Sequence, residues 1–248
     1  MTGELLARSA ACGALALVLL TGCNAITGSG DLMVVGAGAG KPTGSAAGAG
    51  GAGGGHAMAS SSSSMATMCT YPPAPATGYG VGQGDVVPPH LHWTGYADGS
   101  TVTSTPTTIQ FDDYYDCDGS KGINAVLVDT SALWCGACQQ GAAGLDGEIK
   151  ASWAALGIKV ITLIVNGINP NAAATIADVL TWKKMFDLDT STVVLDAQFT
   201  FLPPNTMTVG LPVEIVLDPR TMKITDDQQG YSGDYTTLTT LAQQNKGK

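Results

Sequence analysis

The residues of this chain best suited to chemistry are Cys135 and Cys138, which Gly136 and Ala137 separate. An apolar run at 125–128 precedes them and is typical of a buried strand, so the pair falls where a strand gives way to a helix. Free backbone N–H groups and the helix dipole at such a position favour a thiolate. The pair could therefore open and close as a redox disulfide, but metal binding and a fixed structural bridge are also open.

The elements that must position this pair follow from the hydrophobic pattern of the folded part of the chain. Short antiparallel strands are indicated within 85–110, and five further strands at 123–129, 158–165, 193–195, 213–217 and 222–224. Helices are indicated from the cysteine pair to Gly157, at 172–186 and at 234–244. This order predicts an α/β fold with a central mixed sheet flanked by helices and an N-terminal β extension.

Two segments together resemble the thioredoxin superfamily. In that family an acid lies six residues before the first cysteine and a tryptophan directly before it, and Asp129 and Trp134 hold those positions in the stretch 126–138. The later sequence Gly-Leu-Pro-Val at 210–213, which leads into a strand, resembles the family's cis-proline loop. The resemblance implies a thioredoxin-like fold for the folded part of the chain.

Three further features resemble the TlpA-like, membrane-tethered branch of that superfamily, and the resemblance covers about residues 80–245. They are the Gly-Asp-Val sequence at 84–86, an intervening helix with Trp182, and a hairpin after Asp218. Two departures stand out, because Ala137 replaces a proline common between the cysteines and no lysine follows Cys138.

The resemblance implies a thiol-disulfide oxidoreductase that needs no cofactor and no metal. Cys135, exposed at the helix start, would attack a client disulfide as a thiolate, and Cys138 would resolve the mixed disulfide. Asp129, desolvated behind the pair, would have a raised pKa and accept the Cys138 proton. The family's substrate-contacting positions fall on Trp134, Leu211 and Pro212, the last after a cis peptide bond.

Other chemistries make demands that the sequence does not meet. Copper chaperones of this fold need three residues between the cysteines and a downstream histidine, whereas two residues separate them here and every histidine lies upstream. A peroxiredoxin needs a Thr or Ser three residues before its cysteine and a nearby arginine, but position 132 is Ala132 and Arg220 lies in a predicted turn. A zinc ribbon would need a second cysteine pair at similar spacing. The alternatives kept are an anchored binding module with a structural Cys135–Cys138 bridge and a peroxiredoxin-like antioxidant protein.

The N-terminal quarter of the chain predicts export. Residues 1–22 place one cation before an apolar run at 10–20, which is typical of a secretory signal and too short to span a bilayer. The sequence Leu-Thr-Gly-Cys at 20–23 resembles the lipobox of bacterial lipoproteins, which implies a lipid on Cys23; an ordinary signal with a chance cysteine is the alternative. Asn24 favours the outer membrane or the periplasmic face.

The next segment separates this predicted anchor from the folded domain. Residues 23–68 are rich in Gly, Ala and Ser and predict a disordered tether, because they cannot bury enough apolar surface to offset the entropy of ordering. The folded domain is predicted at 69–248, with its core at about 120–245. We therefore expect a bacterial envelope protein that is lipid-anchored outside the cytoplasm.

The chain has six cysteines, and in an exported protein each of them could form a disulfide. Cys12 would leave with the signal and Cys23 would carry lipid. Besides the redox pair, this leaves Cys69 and Cys117 as candidates for a structural bridge, with two free thiols as the alternative. A bridge that closes a loop of about 49 residues would stabilise the fold by roughly 4 kcal/mol in the chain-entropy model.

The net charge of −9 argues against nucleic acid or anionic lipid headgroups as the main partner. The expected partners are disulfides of client proteins and, if the protein is a reductant, a membrane thiol electron donor. The chain is expected to be a monomer.

Overall fold

The computed structural model describes residues 69–202 and 210–248, so the predicted signal peptide, Cys23 and the tether lie outside the described residues. The strands are β1 (His92–Tyr96), β2 (Thr107–Gln110), β3 (Ala125–Ala132), β4 (Ile158–Asn166), β5 (Thr192–Leu195), β6 (Val213–Asp218) and β7 (Lys223–Gln229). The helices are α1 (Gly136–Glu148), α2 (Ala154–Leu156), α3 (Ile176–Met185) and α4 (Thr236–Asn245), with a 3₁₀ turn at Phe111–Tyr114.

The strands form one mixed sheet in the order β2-β1-β5-β4-β3-β6-β7. Strands β3, β4 and β5 are parallel, β6 runs antiparallel to β3, and β7 runs antiparallel to β6. This is the predicted thioredoxin-like α/β fold. The N-terminal β extension belongs to the same sheet, because β1 pairs with both β2 and β5.

Strand β3 lies at the centre of the sheet and all eight of its residues are buried. Because successive side chains in a strand point to opposite faces, β3 contributes to two separate cores. Leu127 belongs to the core that includes α1 and α4, while Val126 and Val128 belong to the core on the other face. Asp129 follows the Leu127 face and therefore points toward α1, the helix that begins at the cysteine pair.

The helix after the cysteine pair is longer than α1 alone. A π-helical turn at Ile149–Trp153 continues it into α2, and it ends at Gly157, which has a left-handed φ of 72°. The predicted end at Gly157 is confirmed, since glycine adopts this conformation without strain.

Two predicted boundaries were wrong by more than three residues. Helix α3 begins at Ile176 rather than at 172, because Thr175 and Asp178 form a reciprocal capping box that fixes the first turn. Strand β7 continues to Gln229, well past the predicted end at 224, through its pairing with β6.

A disulfide fixes the first of the described residues to the domain. Cys69 and Cys117 form a disulfide with a Cα–Cα distance of 5.8 Å. Next to it, Tyr115 donates a hydrogen bond of 2.8 Å to the carbonyl of Thr70, and the rings of Tyr71 and Tyr115 pack 5.2 Å apart. These contacts hold the segment before β1 against the domain.

Within the described ranges, no helix has the length and apolar character needed to cross a membrane.

Candidate active site

Strand β3 and helix α1 place the two cysteines at one turn. Cys135 is the N-cap of α1, and its Sγ accepts a hydrogen bond of 3.2 Å from the backbone N–H of Cys138. The two sulfurs are bonded to each other, with the Cα atoms 5.3 Å apart. After reduction, the same N–H and the helix N-terminus are placed to stabilise a thiolate on Cys135.

The expectation that Cys135 is exposed was wrong for this disulfide state. The residue is 5% exposed and belongs to the apolar core, because its Sγ points toward the proline loop and lies 3.5 Å from the carbonyl oxygen of Leu211. The exposed neighbour is Trp134, whose exposure is 43%. The indole, and not the sulfur, therefore forms the exposed surface at this turn.

The proline loop lies against the cysteine pair, at the start of β6. The peptide bond between Leu211 and Pro212 is cis. Pro212 is buried, and its carbonyl oxygen accepts a hydrogen bond of 2.7 Å from the N–H of Gly230, which follows β7. The hairpin of β6 and β7 thus positions the loop over Cys135.

Asp129 lies behind the pair. Its carboxyl group is buried, and Ser131 Oγ lies 2.9 Å from each of its oxygens. Burial, and then the nearby carboxylate of Glu214, raise the pKa of Asp129 to about 7. The carboxyl group is therefore balanced between its acid and base forms near neutral pH, as proton transfer with a thiol requires.

Asp129 and Cys138 share the walls of one cavity, which Pro212 also lines. The cavity has a volume of about 10 Å³, roughly the space of a single water molecule. The structure thus brings together Cys135, Cys138, Asp129, Leu211 and Pro212, with Trp134 at the exposed edge.

Two polar residues at this cavity, Glu214 and Tyr235, were missed in the sequence. Tyr235 donates a hydrogen bond of 3.1 Å from its hydroxyl to Glu214 Oε1, and burial raises the pKa of Glu214. The signal for Glu214 was present, because a single acid interrupts the apolar run at 213–217 that predicted a buried strand. Tyr235, just before α4, gave no such signal.

The bridged cysteines outside this site offer little to a metal ion. Among the described residues, the one grouping of three ligating side chains is Cys69, Cys117 and Asp118. Because the two sulfurs are bonded to each other, this grouping presents one carboxylate and no thiolate.

No family model and no curated protein matches this chain. Among solved structures, a protein assigned as the thiol:disulfide interchange protein DsbE of Chlorobium tepidum is 18% identical, with a TM-score of 0.46 over 67% of this chain and 99% of that one. The exposed lipoprotein thioredoxin Etrx1 of Streptococcus pneumoniae is 18% identical, with a TM-score of 0.43 over 62% and 99%. A reduced 2-Cys peroxiredoxin of Plasmodium vivax is 11% identical, with a TM-score of 0.45 over 65% and 80%.

Proposed function

We propose that this protein is a thiol-disulfide oxidoreductase of the bacterial cell envelope that acts through Cys135 and Cys138. One observation carries the proposal: a disulfide at a helix N-terminus shares its surroundings with a buried acid, Asp129, and with the loop at Pro212. A bridge needed only for stability requires neither a titrating carboxyl group behind it nor a backbone loop held against its sulfur.

The proposed reaction starts from the reduced cysteine pair. The Cys135 thiolate attacks one sulfur of a client disulfide, forms a mixed disulfide and releases the other client sulfur as a thiolate. Cys138 then attacks Cys135, so the Cys135–Cys138 bond forms as the bond to the client breaks. The client gains two electrons and is reduced, while the cysteine pair loses two electrons and is oxidised.

Asp129 takes part in the second step. Cys138 must lose its proton to become a nucleophile, and it shares a cavity of about one water's volume with Asp129. With a pKa raised to about 7, the ionised carboxylate accepts that proton readily. The client thiolates take their protons from solvent.

We propose that electrons run from this protein to its clients. Gly136 and Ala137, between the cysteines, supply no cation to stabilise the thiolate, and two acids, Asp129 and Glu214, line the cavity behind it. A less stable thiolate makes the dithiol form a better reductant. Recycling then requires a membrane thiol donor, and the clients are oxidised proteins of the envelope.

We also propose that the protein acts as a monomer on a lipid anchor at Cys23, outside the cytoplasm. The lipobox-like sequence at 20–23 and the Gly-, Ala- and Ser-rich segment that follows support this location.

The peroxidase alternative has less support from the described residues. Position 132 is a buried alanine, where a peroxidase of this fold would need a hydroxyl. Arg220 is engaged elsewhere, since its guanidinium donates to the carbonyl of Asp116 and to Asn124 Oδ1. A cysteine peroxidase needs such a cation beside its thiolate.

The decisive experiment uses Cys138→Ser in the native host. This variant should hold client proteins in a disulfide with Cys135, and mass spectrometry of the trapped species would identify them. Cys135→Ser is the matched control and should trap none through residue 135. If no client is recovered on Cys135 and the wild-type protein does not reduce insulin, the anchored binding module is the better description.

A further inference from the structure

A second buried acid faces the cavity behind the cysteines and has no role in the steps above. Glu214 is the direct partner of Asp129 in the antiparallel ladder of β3 and β6. Direct partners have Cβ atoms about 4.5–5.5 Å apart on one face of the sheet. Both side chains also line the cavity that Cys138 borders.

The two acids influence each other's ionisation. Burial raises the pKa of Glu214, and the hydrogen bond from Tyr235 partly opposes this by favouring the ionised form. Burial also raises the pKa of Asp129, and the charge on Glu214 raises it further. Two carboxylates so close in a buried site do not both ionise easily, so they titrate as a coupled pair.

Glu214 also lines a second cavity. This cavity, of about 20 Å³, is also lined by Leu127 and Tyr235, and its walls include Asp226 of β7 and the exposed Asp234. Glu214 therefore borders both the cavity at Cys138 and a cavity whose wall includes a solvent-exposed acid. Asp129 borders only the first of the two.

The groups that could compete with this coupling are few. The titratable groups around Glu214 come from β3, β7, α1 and the segment before α4, and they are Asp129, Asp226, Cys138, Tyr231, Asp234 and Tyr235. Among the described residues that line the two cavities, none is Lys, Arg or His. No cation there neutralises the pair, so a shared proton is what relieves its repulsion.

We propose that Glu214 is a positioning residue that acts through Asp129, sharing one proton with it and passing to solvent the proton that Cys138 gives up. The inference rests on the proposed oxidoreductase function. In the resolving step the Cys138 proton moves to the Asp129 carboxylate as the Cys135–Cys138 bond forms. Glu214, which holds the shared proton while Asp129 is ionised, releases that proton through the second cavity and then takes up the proton on Asp129, which restores Asp129 as a base.

The test is a pair of pH profiles on the full-length protein and its variants. Carboxyl carbon NMR gives the titration of Asp129, and stopped-flow mixing of the reduced protein with a disulfide peptide gives the exchange rate. In Glu214→Gln the neighbouring charge is gone. The midpoint of the Asp129 titration and the midpoint of the exchange-rate profile should therefore both fall by about one pH unit. In Tyr235→Phe the loss of the hydrogen bond should instead raise the midpoint of Glu214.

Asp227→Asn is the matched control. It removes one negative charge from β7, but Asp227 pairs with Ile215 and so faces the opposite side of the sheet from Glu214. Its profiles should coincide with those of the wild type.

The outcomes separate this inference from the proposed function. If the Asp129 midpoint in Glu214→Gln coincides with the wild-type value, the inference is wrong, whatever the activity. If the wild-type protein exchanges no disulfides, the proposed function is wrong, and the carboxyl titration still reports whether the pair is coupled. If Glu214→Gln does not fold, the Tyr235→Phe variant provides the test instead, and an unchanged midpoint for Glu214 in that variant would contradict the inference.

Discussion

The indole of Trp153 packs edge-on against the phenol ring of Tyr235, with ring centroids 4.8 Å apart. Trp153 ends the π-helical turn, and Tyr235 holds Glu214 through its hydroxyl. The irregular turn therefore supports, through two aromatic rings, the acid that faces Asp129.

This contact predicts a large loss of stability on truncation. Trp153 is 2% exposed, so Trp153→Ala should lower the free energy of unfolding by about 3–5 kcal/mol by leaving a cavity in the core. Urea denaturation followed by circular dichroism measures the change. Trp153→Phe keeps an aromatic partner for Tyr235 and should cost clearly less; equal losses would mean that the ring contact is unimportant.

Asp129→Asn should make the protein more stable at high pH but slower in disulfide exchange. Because burial raises the pKa of Asp129 to about 7, well above its unfolded value, the protein loses stability as pH rises from about 4 to 7 and the carboxyl group is forced to ionise. The amide cannot ionise, so the variant should be more stable than the wild type at pH 8, by up to about 4 kcal/mol.

The same variant should slow disulfide exchange at neutral pH, because Cys138 loses its proton acceptor. The measurements are urea denaturation of the oxidised protein at pH 4 and pH 8, and stopped-flow exchange at pH 7. Wild-type exchange kinetics in Asp129→Asn would remove the assigned role, and an advantage in stability that is equal at both pH values would contradict the raised pKa.

The Cys69–Cys117 bridge should contribute to stability but not to exchange. Replacing both residues by serine removes the constraint on the unfolded chain and should cost about 4 kcal/mol. Thermal denaturation of the double variant and of the wild type measures the loss of stability. At a temperature where both proteins are folded, the double variant should reduce insulin at the same rate as the wild type. Lost activity in the folded variant would indicate a redox role for this bridge.

Trp134 should matter to clients rather than to folding. It is 43% exposed beside Cys135, so Trp134→Ala should change the free energy of unfolding by no more than about 0.5 kcal/mol while raising KM for a protein disulfide. Met185→Ala, at a residue that is 54% exposed on α3, is the control for a loss of exposed apolar surface. Equal KM values in the two variants would mean that the indole does not contact clients.

Cys23→Ala tests the anchor. Without a thiol to acylate, the protein should move from the membrane fraction to the soluble fraction of the host, and radiolabelled palmitate should no longer be incorporated. Cys12→Ala, within the predicted signal, should leave both unchanged. Continued membrane association of Cys23→Ala would rule out lipidation as the anchor.

The parts of the structure set by local pattern were accessible from the sequence. The buried strands, the Gly157 helix end and the cysteine turn each follow from spacing that a few neighbouring residues determine. The start of α3 was missed although Thr175 and Asp178 carry the spacing of a capping box.

Other features depend on contacts between distant segments and could not be predicted. Glu214 opposes Asp129 only because of the register of β3 and β6, which no local pattern determines. The burial of Cys135 likewise depends on where the loop at Leu211 packs. Both are properties of the assembled sheet, and both bear directly on the chemistry of the site.

The Cys69–Cys117 bridge also determines where mechanical load would enter the domain. If the protein is held to a membrane by the chain ahead of Cys69, tension on that chain passes through the disulfide to Cys117. Strands β1 and β2 lie within the closed loop, between the bonded cysteines, so the covalent path from Cys69 to Cys117 bypasses them. A stretched tether would thus pull on the turn before β3 through the disulfide, and not only on the chain that leads to the edge of the sheet.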